Sequence, residues 1–88
     1  MTTDLFPKMR NIVTTDEQSA AAALYLQHGE GHAPGAFIAA LWDAITRADE
    51  VNRARLRREF PALVSAWALS REPDGVEILR IKASGVTS

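Results

Sequence analysis

Residues 36–60 read AFIAALWDAITRADEVNRARLRREF, and this stretch decides the fold class because neither glycine nor proline interrupts it. In its first half, apolar residues recur at helical spacing, at Phe37, Ile38, Leu41, Trp42, Ala44, Ile45 and Ala48. A helix that is apolar over more than half its girth normally lies inside a core. We therefore expect the helix that begins around residues 34–36 to be the central one.

The second half of the stretch has its own start and stop signals. Asp49 is a favourable N-cap, with Asn52 close behind, so a bend near residues 49–52 is favoured over one continuous helix. Pro61 marks the end of this third helix, because the residue before proline is pushed away from helical backbone angles. We expect its apolar residues to face inward and its arginines outward: Val51, Leu56 and Phe60 against Arg53, Arg57 and Arg58.

The flanking segments complete a mainly α prediction. Residues 16–28 form a first helix, capped by Thr14 or Thr15 and ended by Gly29, and a last helix from Pro61 carries Leu63, Val64, Trp67 and Leu69. Residues 72–75, EPDG, indicate a turn in which the glycine supplies a positive φ. The β-branched run after it indicates a short strand that needs a pairing partner.

These elements predict a small bundle of three or four helices with an N-terminal arm and a short C-terminal extended or β segment. We divide the chain into an arm (1–14), a helical domain (15–71), a turn with the extended segment (72–83) and a polar tail (84–88). Gly29 and Gly35 are expected to set helix ends, and Phe37 and Leu41 to lie in the core.

Composition restricts the classes of function. The 88 residues carry a net charge of −1 and no cysteine, which excludes disulfides and thiolate metal sites and argues against nucleic-acid binding by bulk charge. No apolar run approaches the ~18 residues that span a bilayer. The first residues lack the pattern of a secretory signal, so we expect a cytoplasmic protein.

Two histidines, in His28-Gly-Glu30-Gly-His32, are the one metal-like pattern. A helical zinc motif needs histidines at i and i+4 on one helix, and two glycines interrupt this segment. No third ligand is evident, and zinc sites use three or four. We expect no metal, no cofactor and no catalytic residue, so the chain is predicted not to be an enzyme.

The candidate interaction surface combines arginines with the two tryptophans: Arg47, Arg53, Arg57, Arg58, Trp42 and Trp67. Acids precede two of the arginines at helical spacing, in the pairs Asp43–Arg47 and Asp49–Arg53. A solvated helix face is the commonest origin of such a pattern, a protein-binding surface is the second interpretation, and a phosphate-binding surface is the third. The first interpretation of the two tryptophans is that they lie in the core, and the second is that a partly buried tryptophan anchors an interface.

One pattern resembles a known group. A pattern in three parts is similar to the signature of a large group of small phage-encoded helical proteins: Tyr25-Leu-x-His28-Gly, then Pro34-Gly-x-Phe37-x-x-Ala-Leu, then Ala44-x-x-Arg-Ala-Asp-x-x-Asn52-x-x-x-Leu56. The match covers residues 25–56, and Ala36 stands where the group commonly has serine. The group carries no assigned activity. The resemblance implies a phage or prophage product in a bacterial cytoplasm.

The sequence thus predicts a small non-catalytic phage-type protein that binds a host or phage protein, for example to inhibit a host process. The alternative is a nucleic-acid-binding regulator that uses the arginine-rich third helix, and a homodimer is compatible with either. If His28 lies beside Asp49 and Asn52, these three residues form a candidate polar cluster. We expect no membrane partner.

Overall fold

The computed structural model describes residues 7–85, and the side chains of residues 11–85. Residues 7–85 form six short helices: α1 (Pro7–Thr14), α2 (Glu17–His28), α3 (Ala36–Arg47), α4 (Glu50–Glu59), α5 (Pro61–Ser70) and α6 (Gly75–Ala83). The predicted mainly helical class is confirmed. The count of three or four helices is wrong, because each end of the chain contributes a further helix.

The central helix is α5, and it contacts each of the other five. Pro61 occupies its first turn, where no backbone amide donor is needed. Most of its side chains are apolar, and Leu63, Val64, Ala66 and Leu69 are buried together with Ser65 and Ser70. Our expectation that α3 would be central is wrong: α3 buries Leu41, Trp42 and Ile45 and leaves its other face exposed.

Local signals define the start of α4 and the end of α2 as predicted. The Asp49 side chain accepts a hydrogen bond from the backbone amide of Asn52 (2.8 Å), which starts α4 after a bend. Gly29 ends α2 in the left-handed conformation, with φ of 73°. The start of α2 differs from prediction, because Asp16 caps it by accepting from the amide of Ser19 (2.7 Å).

Thr15, one of the two predicted caps, has a long-range role instead. Its side chain is buried, and its hydroxyl donates to the carbonyl oxygen of Ala62 (2.9 Å). This hydrogen bond fixes the junction of α1 and α2 to the first turn of α5. Because a buried hydroxyl needs a hydrogen-bond partner, the Thr15 side chain donates to α5 and does not cap α2.

The predicted C-terminal strand is wrong, because these residues form α6. The helix packs antiparallel on α2, with Gly85 beside Glu17 at one end and Arg80 beside Glu30 at the other. Leu79 is fully buried, and Val76 and Ala83 lie partly buried at helical spacing on the same side. Burial on α2 and α5 therefore overrides the β propensity of this β-branched run.

The extended N-terminal arm is also wrong where the structure tests it, since residues 7–14 form α1 on α5. Pro7 starts this helix, a position that suits proline. The remainder of the predicted arm, residues 1–6, and the tail residues 86–88 lie outside the described part. None of the helices within residues 7–85 is long and apolar enough to cross a membrane.

Two apolar side chains assigned to the core lie at the surface. Phe37 is 66% exposed and Val51 is 64% exposed. Both occupy positions near the start of a helix, α3 and α4 respectively. The periodicity of a short helix identifies an apolar stripe but does not tell which part of that stripe meets a neighbour.

Candidate functional site

Arg53 lies at the junction of α3 and α4 and is partly buried, although the sequence pattern placed it outward. Its Nε donates to the carbonyl oxygen of Ile45 (3.1 Å), and its Nη2 donates to that of Ala48 (2.6 Å). These carbonyls end α3, where the helix dipole favours a positive charge. Arg53 therefore caps α3, and the predicted Asp49–Arg53 ion pair is not formed.

The indole of Trp67 lies against this cap. The guanidinium carbon of Arg53 is 4.3 Å from the ring centroid, and that of Arg71 is 4.9 Å from it. The indole nitrogen donates to the hydroxyl of Thr46 (3.2 Å), which in turn donates to the carbonyl oxygen of Trp42 (3.0 Å). Cation–π contacts and this hydrogen bond join α3, α4 and α5 through one side chain.

A groove of about 350 Å³ opens beside Trp67, and we call it the arginine groove. It is lined by Glu50, Arg53, Ala54, Arg57 and Trp67, and Arg71 contacts the same indole. Within residues 11–85, no carboxylate forms an ion pair with any of its three arginines. The groove therefore has an excess of positive charge.

The structure separates the residues of the predicted interaction surface. Arg53, Arg57 and Trp67 meet at the arginine groove, and Arg58 lies on the exposed outer face of α4 with Arg55 and Val51. Arg47 pairs with Asp43 on α3, as predicted (2.9 Å). Trp42 is buried in the core, as the first interpretation of the tryptophans predicted.

The candidate polar cluster is not assembled. Asp49 and Asn52 make the α4 cap, whereas His28 is exposed at the end of α2 and forms no hydrogen bond with either of them within the described chain. Among residues 11–85, no three metal-ligating side chains lie close enough together to hold an ion.

Glu30 takes part in an ion pair that the sequence did not indicate. Arg80 donates through Nε to both oxygens of Glu30 (3.2 and 3.1 Å) and through Nη2 to one of them, and Arg80 also pairs with Glu77. The hydrogen bonds and charge of Arg80 lower the pKa of Glu30 from its ordinary value of 4.5. This network connects α6 to the loop after α2.

A second groove, of about 330 Å³, lies among α2, α3 and α5, and we call it the apolar groove. Its lining includes Ala21, Ala22, His32, Pro34, Ile38 and Leu63. The neighbouring residue Phe37 meets Phe60 edge to face, with ring centroids 6.1 Å apart and an interplanar angle of 61°. These two rings extend the apolar surface along the first turns of α3 and α5.

Sequence reasoning did not predict that Arg53 turns inward, that Arg71 contacts Trp67, or that Phe37 is exposed and packs on Phe60. One signal for Arg53 was present, since a basic residue shortly after the end of a helix often binds its last carbonyls. The other contacts join residues far apart in the chain, and no spacing rule predicts them.

No family model, curated protein or solved structure matches this chain. The resemblance to small phage-encoded proteins therefore stays a prediction.

Proposed function

We propose that this chain is a non-catalytic protein that acts by binding another protein, with Phe37 as the anchor of the contact surface. The single observation behind this proposal is exposed Phe37, which packs edge to face on the half-buried Phe60 near the apolar groove. Burial of a phenylalanine side chain from water is worth about 1.5–3 kcal/mol, so a partner gains from covering this ring. Apolar surfaces of this kind commonly mark protein-interaction sites.

The groove beside the pair supports the same proposal. Ile38, Leu63 and Pro34 offer an apolar floor for a partner side chain, and exposed Phe37 directly precedes Ile38 in α3. Aromatic residues around a desolvated pocket are the usual energetic centres of protein interfaces. The phage context in a bacterial cytoplasm rests on the sequence resemblance alone, and inhibition of a host process is one form that such binding takes.

The test is affinity capture from bacterial lysate with nuclease present, comparing the parent chain with Phe37→Ser. We expect the substitution to abolish recovery of a partner that the parent chain recovers. Val13→Ser is the matched control, because Val13 is also an exposed apolar residue but lies on α1. Equal recovery by the Phe37→Ser variant, or no partner for the parent chain, would contradict the proposal.

Self-association through the same surface has a separate readout. Light scattering after size-exclusion chromatography reports the mass of the free chain. If the parent chain is a dimer and Phe37→Ser is a monomer, the partner is a second copy of this chain.

A second candidate is nucleic-acid binding through the outer face of α4. Arg55 and Arg58 are exposed there, next to Arg57 at the groove. Gel-shift titration against the Arg55→Ala/Arg58→Ala variant tests this candidate, and true phosphate contacts would weaken steeply with salt. Arg53 is unsuitable for this test because it caps α3.

A further inference from the structure

We propose that the arginine groove and the neighbouring Arg71 bind an acidic segment of a partner protein, with one carboxylate held by Arg57 and another by Arg71, on either side of the contact between Arg53 and Trp67. This inference rests on the proposed function, since it gives the chemistry of a partner protein. It concerns a different face of the chain from the exposed Phe37.

Charge is the first step of the argument. Arg53 and Arg71 place their guanidinium carbons 4.3 and 4.9 Å from one ring, and Arg57 lines the same groove. The three positive charges lie around one indole ring, and within residues 11–85 no ion pair compensates them. Glu50 lines the groove but does not pair with any arginine there. A carboxylate from outside would supply the missing charge.

Geometry is the second step. Arg53 uses Nε and Nη2 on the carbonyls of α3, so its position is fixed before any ligand arrives. Arg57 and Arg71 are exposed and have no hydrogen-bonded partner among the described residues, which leaves their forked donors available. Guanidinium groups match carboxylates through two parallel hydrogen bonds. A prearranged positive groove lowers the entropic cost of binding.

The surroundings favour a protein segment over nucleic acid. Stacking of a base requires a free aromatic face, whereas two guanidinium groups lie against Trp67 and its indole nitrogen already donates to Thr46. Exposed Val51 and Ala54 lie on the same helix, and the acids Asp49 and Glu50 begin it. This local positive patch on a chain of net charge −1 suits a short acidic segment better than a continuous phosphate backbone.

The test uses the complete chain, labelled with ¹⁵N, and a decaglutamate peptide as the probe. The two tryptophans give two indole N–H signals, of which that of buried Trp42 is an internal reference. We expect decaglutamate to shift the Trp67 signal in a saturable manner and to leave the Trp42 signal unchanged. The Arg57→Ala/Arg71→Ala variant should bind about tenfold more weakly, because it loses charge-assisted hydrogen bonds.

The matched control is Arg47→Ala/Arg58→Ala, which removes the same charge from two arginines outside the groove. It should retain the affinity of the parent chain. Equal weakening by both double variants would show unspecific attraction and overturn the proposal, as would an unmoved Trp67 signal. A mixed-sequence DNA decamer that shifts Trp67 at lower concentration than decaglutamate would also overturn it.

The outcome is separable from that of the proposed function. Phe37→Ser should leave decaglutamate binding intact, because Phe37 is not part of the arginine groove. If lysate capture fails while decaglutamate binds at the groove, the protein-binding surface at Phe37 is rejected and the acidic-ligand site stands. If capture depends on Phe37 but decaglutamate does not shift the Trp67 indole signal, the groove proposal alone is rejected.

Discussion

Gly75, the first residue of α6, lies directly over the carbonyl group of Leu69 near the end of α5. A Cβ atom at position 75 would lie 1.7 Å from that carbonyl oxygen and 2.7 Å from its carbon. Both are backbone atoms of a fully buried residue, so they have no room to move. From the turn pattern we expected Gly75 to supply a positive φ, but its φ is not positive. Glycine is required at this position because α5 and α6 approach each other too closely for a side chain.

We therefore expect Gly75→Ala to destabilise the protein by more than about 3 kcal/mol, because the added methyl group forces α6 away from α5. Urea denaturation followed by circular dichroism measures this loss. Gly35→Ala is the matched control, since a Cβ there meets nothing within 4 Å and φ is −63°. A Gly75→Ala variant as stable as Gly35→Ala would show that the two helices are not packed this closely.

Arg53→Ala should destabilise the fold by about 1.5–3 kcal/mol, because it removes two hydrogen bonds from a charged group to the end of α3. Arg53→Lys should restore little of this, since an ammonium group does not reproduce the guanidinium fork or its stacking on Trp67. Arg58→Ala, on the exposed face of the same helix, should stay within about 0.5 kcal/mol of the parent chain. Thermal or urea denaturation of the three variants distinguishes a cap from a surface charge.

Thr15→Val should lower the free energy of unfolding by about 1 kcal/mol. The substitution keeps the shape of the side chain but removes the hydroxyl that donates to Ala62. Thr15→Ser retains the hydroxyl donor, so it should lower the free energy of unfolding by less than the loss of this hydrogen bond does. If Thr15→Val and the parent chain have the same free energy of unfolding in urea, the hydrogen bond between the α1–α2 junction and α5 contributes nothing to stability.

The Glu30–Arg80 pair predicts a pH dependence on the acid side. Folding lowers the pKa of Glu30 below 4.5, so on acidification the unfolded chain takes up this proton first. The stabilisation is therefore complete above pH 4.5 and is lost as the pH falls through the lower pKa of the folded state. Glu30→Gln should reduce stability at neutral pH and converge with the parent chain in strong acid.

Urea titrations at several pH values measure this convergence. Glu50→Gln provides the control, because Glu50 forms no ion pair within the described chain. Added salt should shrink the difference at neutral pH, since both partners are partly exposed to solvent. A constant difference between Glu30→Gln and the parent chain at every pH would contradict the assignment.

Elements governed by neighbouring residues were predictable from the sequence. The bend at Asp49, the end of α2 at Gly29 and the start of α5 at Pro61 all follow from interactions within one helical turn. Part of the candidate site followed too, because helical spacing indicated the Asp43–Arg47 pair. Three of the six proposed surface residues, Arg53, Arg57 and Trp67, do meet at one groove.

The remaining errors concern contacts between distant parts of the chain. The segment after Gly75 has the composition of a strand, yet it becomes α6 because α2 and α5 bury Leu79. The same apolar stripe on α3 contains buried Leu41 and exposed Phe37, since helices α2 and α5 cover only part of it. Spacing rules describe one helix at a time and carry no information about which neighbour covers it.

The sequence by itself determined the helical class, three helix boundaries and the absence of disulfides, because caps, glycines, proline and composition act locally. Only the tertiary structure decided that α5 is central, that Arg53 turns inward to cap α3 and that Phe37 stays in solvent. These outcomes depend on which surfaces meet when the chain closes on itself. Burial of apolar surface and satisfaction of buried polar groups are summed over the whole fold, and they outweigh the preference of any single segment.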